Sequence, residues 1–492
     1  MFNSRQQTFQ DSSPSAGNPH YWLMLGICGS GMRAFAEMLL DAGENVIGTD
    51  CDDAALANIG RSCGGRLRLI PWGHCPDWNS IGPLTVVHTL AVSANSTVVV
   101  EARKRGICVQ PLPQALAAFL QHMRQICISG THGKTTTSGM IWWILNEAGK
   151  SPAGFVGGEF CGIQKAGSFG NGQTAVVESC EYQQSFLHLN PQTAVVTGIE
   201  SDHFDCFRND ADANHAYQSF MRNLPHDGTL ILNAENVRAA EAARSVQCRV
   251  LRYGLNLSGG WSAKTSRNCP RSIACDRISA GWRQTFDLLF QGTQAAEVTL
   301  RIPGLHNVEN AIAALLAVQA EGLSLRQAVA HLSTFPGMRR RFEYRGAWRG
   351  IDLVDDYAHH PTAIAATLKT AREVFGGRKI IAVFEPHQVS RTEQLFAEFT
   401  EVLSKADECL ILPVLPARET VSSAACTRLS GQLVRRISER GGRAFLMANL
   451  DQVPGRLDHA AQFGDVVITM GAGRTYQIHD EIHRRLQRDF AA

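Results

Sequence analysis

Short apolar runs recur along the chain, each ending at a glycine or a polar loop and most followed by residues at helical spacing. Trp22-Leu-Met-Leu reads as a strand that breaks at Gly26, with a helix over about 33–42 and a second strand from Val46 to Asp50. Thr85-Val-Val and Ile107-Cys-Val continue the alternation. Ile126 to Ile128 is a buried-type strand, and Met140, Ile141, Ile144, Leu145 and Ala148 after it fall on one helical face. Strands are expected again at Thr174 to Glu178, Ala194 to Thr197, Ile351 to Val354, Lys379 to Phe384, Cys409 to Leu412 and Val466 to Thr469. A strongly apolar helix starts near Gly304. The stretch from Cys248 to Leu300 is patterned more weakly, as short strands and turns. Strands alternating with helices mean parallel sheets and an α/β fold.

A chain of 492 residues is too long for one core, and three domains is the middle expectation. The first ends near Gln121 to Gln125 and the third begins near Gly337. The first nineteen residues are polar, lack an apolar signal core and read as a disordered leader. With 47 basic and 45 acidic residues the net charge is +2, which argues against a nucleic-acid partner held by bulk electrostatics. No apolar run approaches a membrane span, so no membrane insertion is expected. Fourteen cysteines lie scattered, without metal-ligand spacing, which suits reduced thiols in a cytoplasmic protein.

The most informative chemistry follows the strand Ile126 to Ile128. Gly130-Thr131-His132-Gly133-Lys134-Thr135-Thr136 joins it to the next helix. Glycines that let the backbone turn, then Lys-Thr at a helix start, make a cradle for a polyphosphate: bare N–H groups point at the anion and Lys134 neutralises it. The Thr135 hydroxyl is placed to reach Mg²⁺. Ile128 stands where the common G-x-x-x-x-G-K-[ST] pattern has its first glycine, so the loop is a shorter variant. An ordinary glycine turn is the plain alternative.

Two later strands end in acids. Glu178 closes one, with Glu181 three residues on, and Glu200-Ser-Asp202-His203-Phe-Asp205 follows the other. Strand ends in an open α/β sheet converge on one crevice, so Glu178 and His203 can meet the cation held by Thr135. Mg²⁺ prefers oxygen ligands, so His203 acts through water or at a second metal. Asp202 and Asp205 are equally well read as a solvated loop. Nearer the start, Gly26-Ile-Cys-Gly29-Ser30-Gly31-Met32, followed by Asp50, has the look of a nucleotide-binding turn with an acid for a ribose hydroxyl. Its glycine spacing does not imply a redox cofactor. Asn307 is an N-cap or a purine contact. The triplet Arg339-Arg340-Arg341 reads as a solvated basic face. Asp355-Asp356-Tyr-Ala-His359-His360-Pro361 and Glu385-Pro-His387-Gln-Val-Ser-Arg391 are polar loops after strands.

Taken in order, these runs resemble the Mur ligases, and among them the alanine-adding branch. They are 26–32, 130–137, Glu178-Ser-Cys-Glu181 with Ser185-Phe-Leu-His-Leu, Ile199 to His203, His306-Asn-Val-Glu-Asn310-Ala, Arg340-Arg-Phe342, 355–361, and Pro386-His-x-x-Ser-Arg391-Thr. The resemblance implies a three-domain α/β architecture. A Rossmann-like UDP-sugar domain would span 20–124, a P-loop ATPase domain 125–335, and a Rossmann-like amino-acid-binding domain 336–492. It implies an ATP- and Mg²⁺-dependent ligase joining L-alanine to UDP-N-acetylmuramate, as monomer or homodimer. Gly29, Ser30, Gly31, Met32 and Asp50 would hold the UDP sugar. Residues 130–136, Asn310, Arg341 and Asp356 would hold ATP, and Thr135, Glu178 and His203 the metal. His359, His387 and Arg391 would surround the amino acid, with Lys134, Glu178, His203, His359 and Arg391 serving catalysis.

Gly198, Glu385 and Gln388 depart from the family's usual Asn, Gln and Arg, and Cys28 replaces a common Gly. No lysine lies between Lys165 and Lys264, which disfavours branches that use a carbamylated lysine there. A murein tripeptide-recycling ligase and a non-catalytic Mur-like binding protein are the rival readings.

Overall fold

The structure is a computed structural model that describes residues 20–59, 65–202, 204–207, 209–269 and 282–491. The expected leader, 1–19, and His203 lie outside the described residues. The chain forms two compact units, Met1–Ala115 and Leu116–Ala492.

In the first unit, five strands form a sheet in the order Leu67–Leu69, Asn45–Thr49, Tyr21–Leu25, Leu84–His88, Cys108–Pro111. All four pairings are parallel. Leu23, Leu25, Ile47 and Val86 bury one face against Val98, Val99 and Ala102 of the helix Thr97–Lys104. The helix expected over 33–42 spans Ser30–Asp41, starting as soon as Gly29 ends the turn.

The second unit holds two sheets. In the ten-stranded one, Arg124–Ser129 lies between Pro191–Val196 and Thr174–Glu178, parallel to both. Thr229–Asn233 and Arg249–Tyr253 extend it in parallel on one side, and Ala153–Phe155 on the other. The stretch read as short strands and turns carries Trp261–Cys269, Arg283–Phe290 and Thr293–Leu300, an antiparallel meander longer than its sequence suggested. The strand order reverses beside Arg124–Ser129, so the loop leaving that strand opens onto a switch-point crevice. The helices Lys134–Glu147 and Leu305–Ala320 pack together over this sheet through Met140, Ile141, Ile144 and an apolar run from Ala311 to Val318.

The six-stranded sheet runs Glu343–Trp348, Ile351–Asp356, Val466–Met470, Ile380–Phe384, Glu408–Ile411, Ala444–Leu446, with the first strand antiparallel. Its central strands are buried on both faces, which is why they read as continuous apolar runs. The loop after Ile351–Asp356 carries the paired histidines, and the short helix Val389–Gln394 that follows Ile380–Phe384 carries Arg391.

Candidate functional site

A cavity of about 580 Å³ lies in the second unit, and its lining draws on the loops named above. Thr131 to Thr136 form one wall, from the glycine turn. Gly133 has φ +82°, and a Cβ there would stand 2.5 Å from Asn310 Oδ1, so only glycine lets the loop lie this close to the neighbouring helix. Gly130, at φ +134°, is similarly hemmed in by Thr197 and Gly198. The result is a fourteen-residue helix, Lys134–Glu147, whose N-terminus faces the cavity with no side-chain cap.

Lys134 Nζ donates to Gly130 O at 2.5 Å and to both oxygens of Glu181, at 3.1 and 3.0 Å. Burial pulls this ammonium down, but Glu181 and, further off, Glu178 more than offset it and leave the group raised and charged. Glu181 thus holds the lysine beside the phosphate loop. Sequence reasoning noted Glu181 without this role.

Glu178 sits across from Thr135. Its Oε2 is buried and makes no hydrogen bond, and burial raises the carboxyl despite Lys134, Thr135 and Arg341 nearby. A Cβ at Gly157 would come within 2.4 Å of that oxygen, so glycine keeps the space beside it clear. A buried, orphaned carboxylate oxygen next to a threonine hydroxyl is a donor set suited to a hard divalent cation such as Mg²⁺.

The arginine triplet read as a solvated face is not one. Arg339 pairs with Glu159 at 2.7 Å. Arg340 pairs with Asp355 at 3.2 Å, donates to the carbonyls of Gly471 and Gly473, and stacks on Tyr357 and Tyr476. Arg341 stacks on Tyr357, 4.9 Å from the ring centroid, and donates to Thr135 Oγ1 at 3.1 Å. Three guanidiniums in a row are tied inward because each finds an acid, a carbonyl or a ring that adjacency in sequence does not reveal. Asp356 accepts from Phe342 N at 2.9 Å and Ala358 N at 2.7 Å, and burial pushes its carboxyl up to about 6.

Asn310 lies beneath Gly133. It accepts from Thr137 Oγ1 at 3.1 Å and donates to Asn307 Oδ1 at 3.2 Å. Asn307 in turn donates to Pro303 O at 2.6 Å. This asparagine pair braces the phosphate loop. Asn233, Asn236 and Glu309 line the same end of the cavity and were not singled out from sequence. Burial raises Glu309 to about 7.

At the other end, Arg391 is fully buried and bonded to Asp202: Nε at 2.8 Å and a terminal nitrogen at 2.7 Å. Its other terminal nitrogen donates to His387 Nδ1 and O, both at 3.1 Å. Asp202 is therefore a structural counter-ion rather than part of a solvated loop. Between the two ends, Glu200 accepts from Thr362 Oγ1 at 2.7 Å and stands 3.4 Å from His132 and 3.8 Å from His360. Burial raises Glu200, but His132, Thr362 and His360 outweigh it and bring the carboxyl to about 2. The ligand atoms of His132, Glu200 and His360 lie within 4.8 Å of one another, close enough to share a cation.

His359 donates from Nδ1 to the Tyr357 carbonyl at 2.9 Å, since a carbonyl can only accept. His387 Nδ1 must accept, because Arg391 donates to it. Burial holds His359 well below the usual histidine range and His387 down at about 4, so both are neutral near pH 7.

The sugar-site candidates lie in the first unit. Gly29 caps the helix Ser30–Asp41, and Met32 is buried in it. Asp50 accepts from Cys28 N at 2.8 Å and Asp52 N at 3.1 Å, so it shapes the glycine turn from beneath.

Comparison with known proteins agrees with this architecture. Residues 23–124 match the model "Mur ligase family, catalytic domain", 128–318 the "Mur ligase middle domain", and 340–473 "Mur ligase, glutamate ligase domain". A UDP-N-acetylmuramate–L-alanine ligase of Lawsonia intracellularis is 34% identical over 451 residues, covering 92% of this chain and 95% of that protein. One from Lachnospira eligens is 34% identical over 468 residues, covering 94% and 98%. Among solved structures, UDP-N-acetylmuramate-alanine ligase from Thermotoga maritima shares the fold at TM-score 0.77 and 23% identity, over 95% of this chain and 99% of that one. A murein peptide ligase from Psychrobacter arcticus does so at TM-score 0.68 and 24% identity, over 94% and 98%. With sequence identity sustained over more than nine-tenths of both chains and three domain models matched in order, the chain belongs to the Mur ligase family.

Proposed function

We propose that this chain is an ATP-dependent ligase that joins L-alanine to the lactyl carboxylate of UDP-N-acetylmuramate, giving ADP and phosphate, in cytoplasmic peptidoglycan precursor synthesis. One observation carries the reading: a single cavity joins a charged Lys134 on a glycine turn, an orphaned Glu178 oxygen, and a histidine–arginine end with a free histidine lone pair. Relatives of that name, about a third identical over most of the chain, support the substrates. The division into 20–124, 125–335 and 336–492 belongs to the same proposal, with the UDP sugar at Gly29 to Met32. No helix among the described residues is long and apolar enough to cross a membrane.

A carboxylate is a poor acyl donor, because oxide is a poor leaving group. Its oxygen attacks the γ-phosphorus, ADP leaves, and an acyl phosphate forms. The reaction brings anions together, and Lys134, Arg341 and the helix N-terminus offset their charge. Thr135 and Glu178 would hold Mg²⁺, which supplies further charge neutralisation at the phosphates when bound. The neutral amine of L-alanine then attacks the acyl carbon. Phosphate leaves with the C–O bond electrons, and the new C–N bond remains as an amide.

The attacking nitrogen must lose a proton as that bond forms. His387 spends its Nδ1 lone pair on Arg391, so its Nε2 carries hydrogen. His359 spends its Nδ1 hydrogen on Tyr357, so its Nε2 lone pair is free. The tautomers therefore favour His359 as proton acceptor. The test is phosphate release from MgATP and UDP-N-acetylmuramate with L-alanine, glycine, L-serine or the murein tripeptide. Release that requires L-alanine, with an amide product, supports the reading. Turnover only with tripeptide moves the chain to the recycling branch, and none with any acceptor favours a binding protein.

A further inference from the structure

Arg391 is the obvious cation for an amino-acid carboxylate, yet its charge is already matched. Asp202 takes Nε and one terminal nitrogen, His387 takes the other, and the side chain is 2% exposed. A second anion there would sit beside Asp202. The same end of the cavity has another guanidinium. Arg418 lines it, has its Cζ over the Tyr182 ring 4.0 Å from the centroid, and pairs with no carboxylate of the described residues. This cation–π contact holds the guanidinium over the ring, where its N–H groups remain available as donors.

The loop bearing Arg418 is rigidly joined to the loop bearing His387. Gln388 N donates to Leu415 O and Leu415 N to Pro386 O, each at 2.8 Å. Glu419 accepts from Val389 N at 2.5 Å and Ser390 N at 3.2 Å. Gln388, between these contacts, also lines the cavity. It is 2% exposed, and its Nε2 has no hydrogen-bond partner. A buried amide donor left unmatched marks a place where an acceptor is missing.

We infer that Arg418, with the unmatched Gln388 amide on the loop bonded to its own, is the anchor for the carboxylate of the incoming amino acid, while the Arg391–Asp202 pair holds His387 in place. This assignment rests on the ligase reading above. It puts the amino acid's anion on the neutral-histidine side of the cavity, opposite the phosphate loop, with the amine toward His359.

The experiment compares wild type with Arg418→Ala and Arg418→Lys in alanine-dependent phosphate release, using L-alanine and L-alaninamide as acceptors. Arg418→Ala is expected to raise the KM for L-alanine roughly ten- to a hundred-fold, the range for a lost charged hydrogen bond, and to affect kcat less. Arg418→Lys recovers part of the loss. Discrimination between L-alanine and L-alaninamide collapses in Arg418→Ala by about the same factor, because the amide lacks the anion that Arg418 reads. An unchanged KM for L-alanine in Arg418→Ala, or a rise in the KM for UDP-N-acetylmuramate instead, overturns the inference. If wild type itself shows no alanine-dependent release, the ligase reading is what fails.

Discussion

Replacing Asp202 with alanine removes the carboxylate that faces Arg391. Two guanidinium nitrogens lose partners at 2.8 and 2.7 Å, and His387 remains as the neighbour, with neutral acceptors only. The charge stays buried, since Arg391 is 2% exposed. Breaking a buried pair from one side costs about 3–5 kcal/mol, whereas replacing both partners with apolar groups is often close to neutral. At roughly 1.3 °C per kcal/mol for a unit as large as Leu116–Ala492, Asp202→Ala lowers the melting temperature of the affected transition by about 4–6 °C. Arg391→Met alone takes the guanidinium away from Asp202 and is expected to cost a similar amount. The double variant Asp202→Ala/Arg391→Met should regain at least half of the single-variant loss. Thermal unfolding of the ligand-free protein is the assay, because it separates the pair's structural coupling from any part in chemistry. If Asp202→Ala melts within about 2 °C of wild type, or the double variant melts at the sum of the singles, the pair is not the buried counter-ion system described above.

Gly133→Ala forces a side chain into the left-handed region and within 2.5 Å of Asn310 Oδ1. It should cost about 1–2 kcal/mol in backbone strain alone, and raise the KM for ATP more than that for L-alanine, as initial-rate kinetics will show. Glu200 is expected to add stability at neutral pH that is lost in acid. Its carboxyl is near 2 when folded and near 4.5 when unfolded, so the contribution is full above pH 4.5 and disappears as the pH falls toward 2. Glu200→Gln should flatten the acid limb of a pH–stability curve over that window, and an unchanged limb would count against the His132–Thr362–His360 cluster. Gly198→Asn, which returns the family's usual residue, should not raise kcat. At φ +158° it strains the backbone by about 1–3 kcal/mol, and its Cβ stands 3.2 Å from Asn236 Nδ2, so differential scanning fluorimetry should show a lower melting temperature.

The fold was legible because its signals are local and redundant. Each central strand is an apolar run bounded by glycine or acid, and the phosphate loop announces itself by Gly-x-x-Gly-Lys-Thr within one stretch. The antiparallel strands Trp261–Cys269, Arg283–Phe290 and Thr293–Leu300 were harder, since exposed and buried positions mix in the latter two and the pairing is set by partners rather than by local pattern. Site residues divide the same way. Lys134, Thr135 and Glu178 could be read because strand ends converge on one crevice. Glu181's hold on Lys134, the inward ties of Arg339 to Arg341, and Asp202's role as counter-ion depend on side chains up to 206 positions apart. No spacing rule reaches across that separation, and a charged triplet reads as solvated unless its acids are known.

Three of the four departures from the family pattern have a structural setting. Gly198 lacks the usual asparagine side chain, but Asn236 reaches the same backbone from the next element. Its Oδ1 accepts from Ile199 N at 3.2 Å, and its amide stands where a Cβ on Gly198 would arrive. Glu385 replaces a neutral amide with an acid, yet burial raises its carboxyl despite Arg340 and Arg474 nearby, and Gly473 packs too close for any side chain to intrude. Gln388 removes a cation from the amino-acid end, and Arg418 brings one back from a loop bonded to the same backbone. At Gly198 and Gln388 the group lost returns from a neighbour that sequence alone does not connect to it. A degenerate protein would be expected to lose such groups without replacement, so these two departures speak for a working ligase rather than against one.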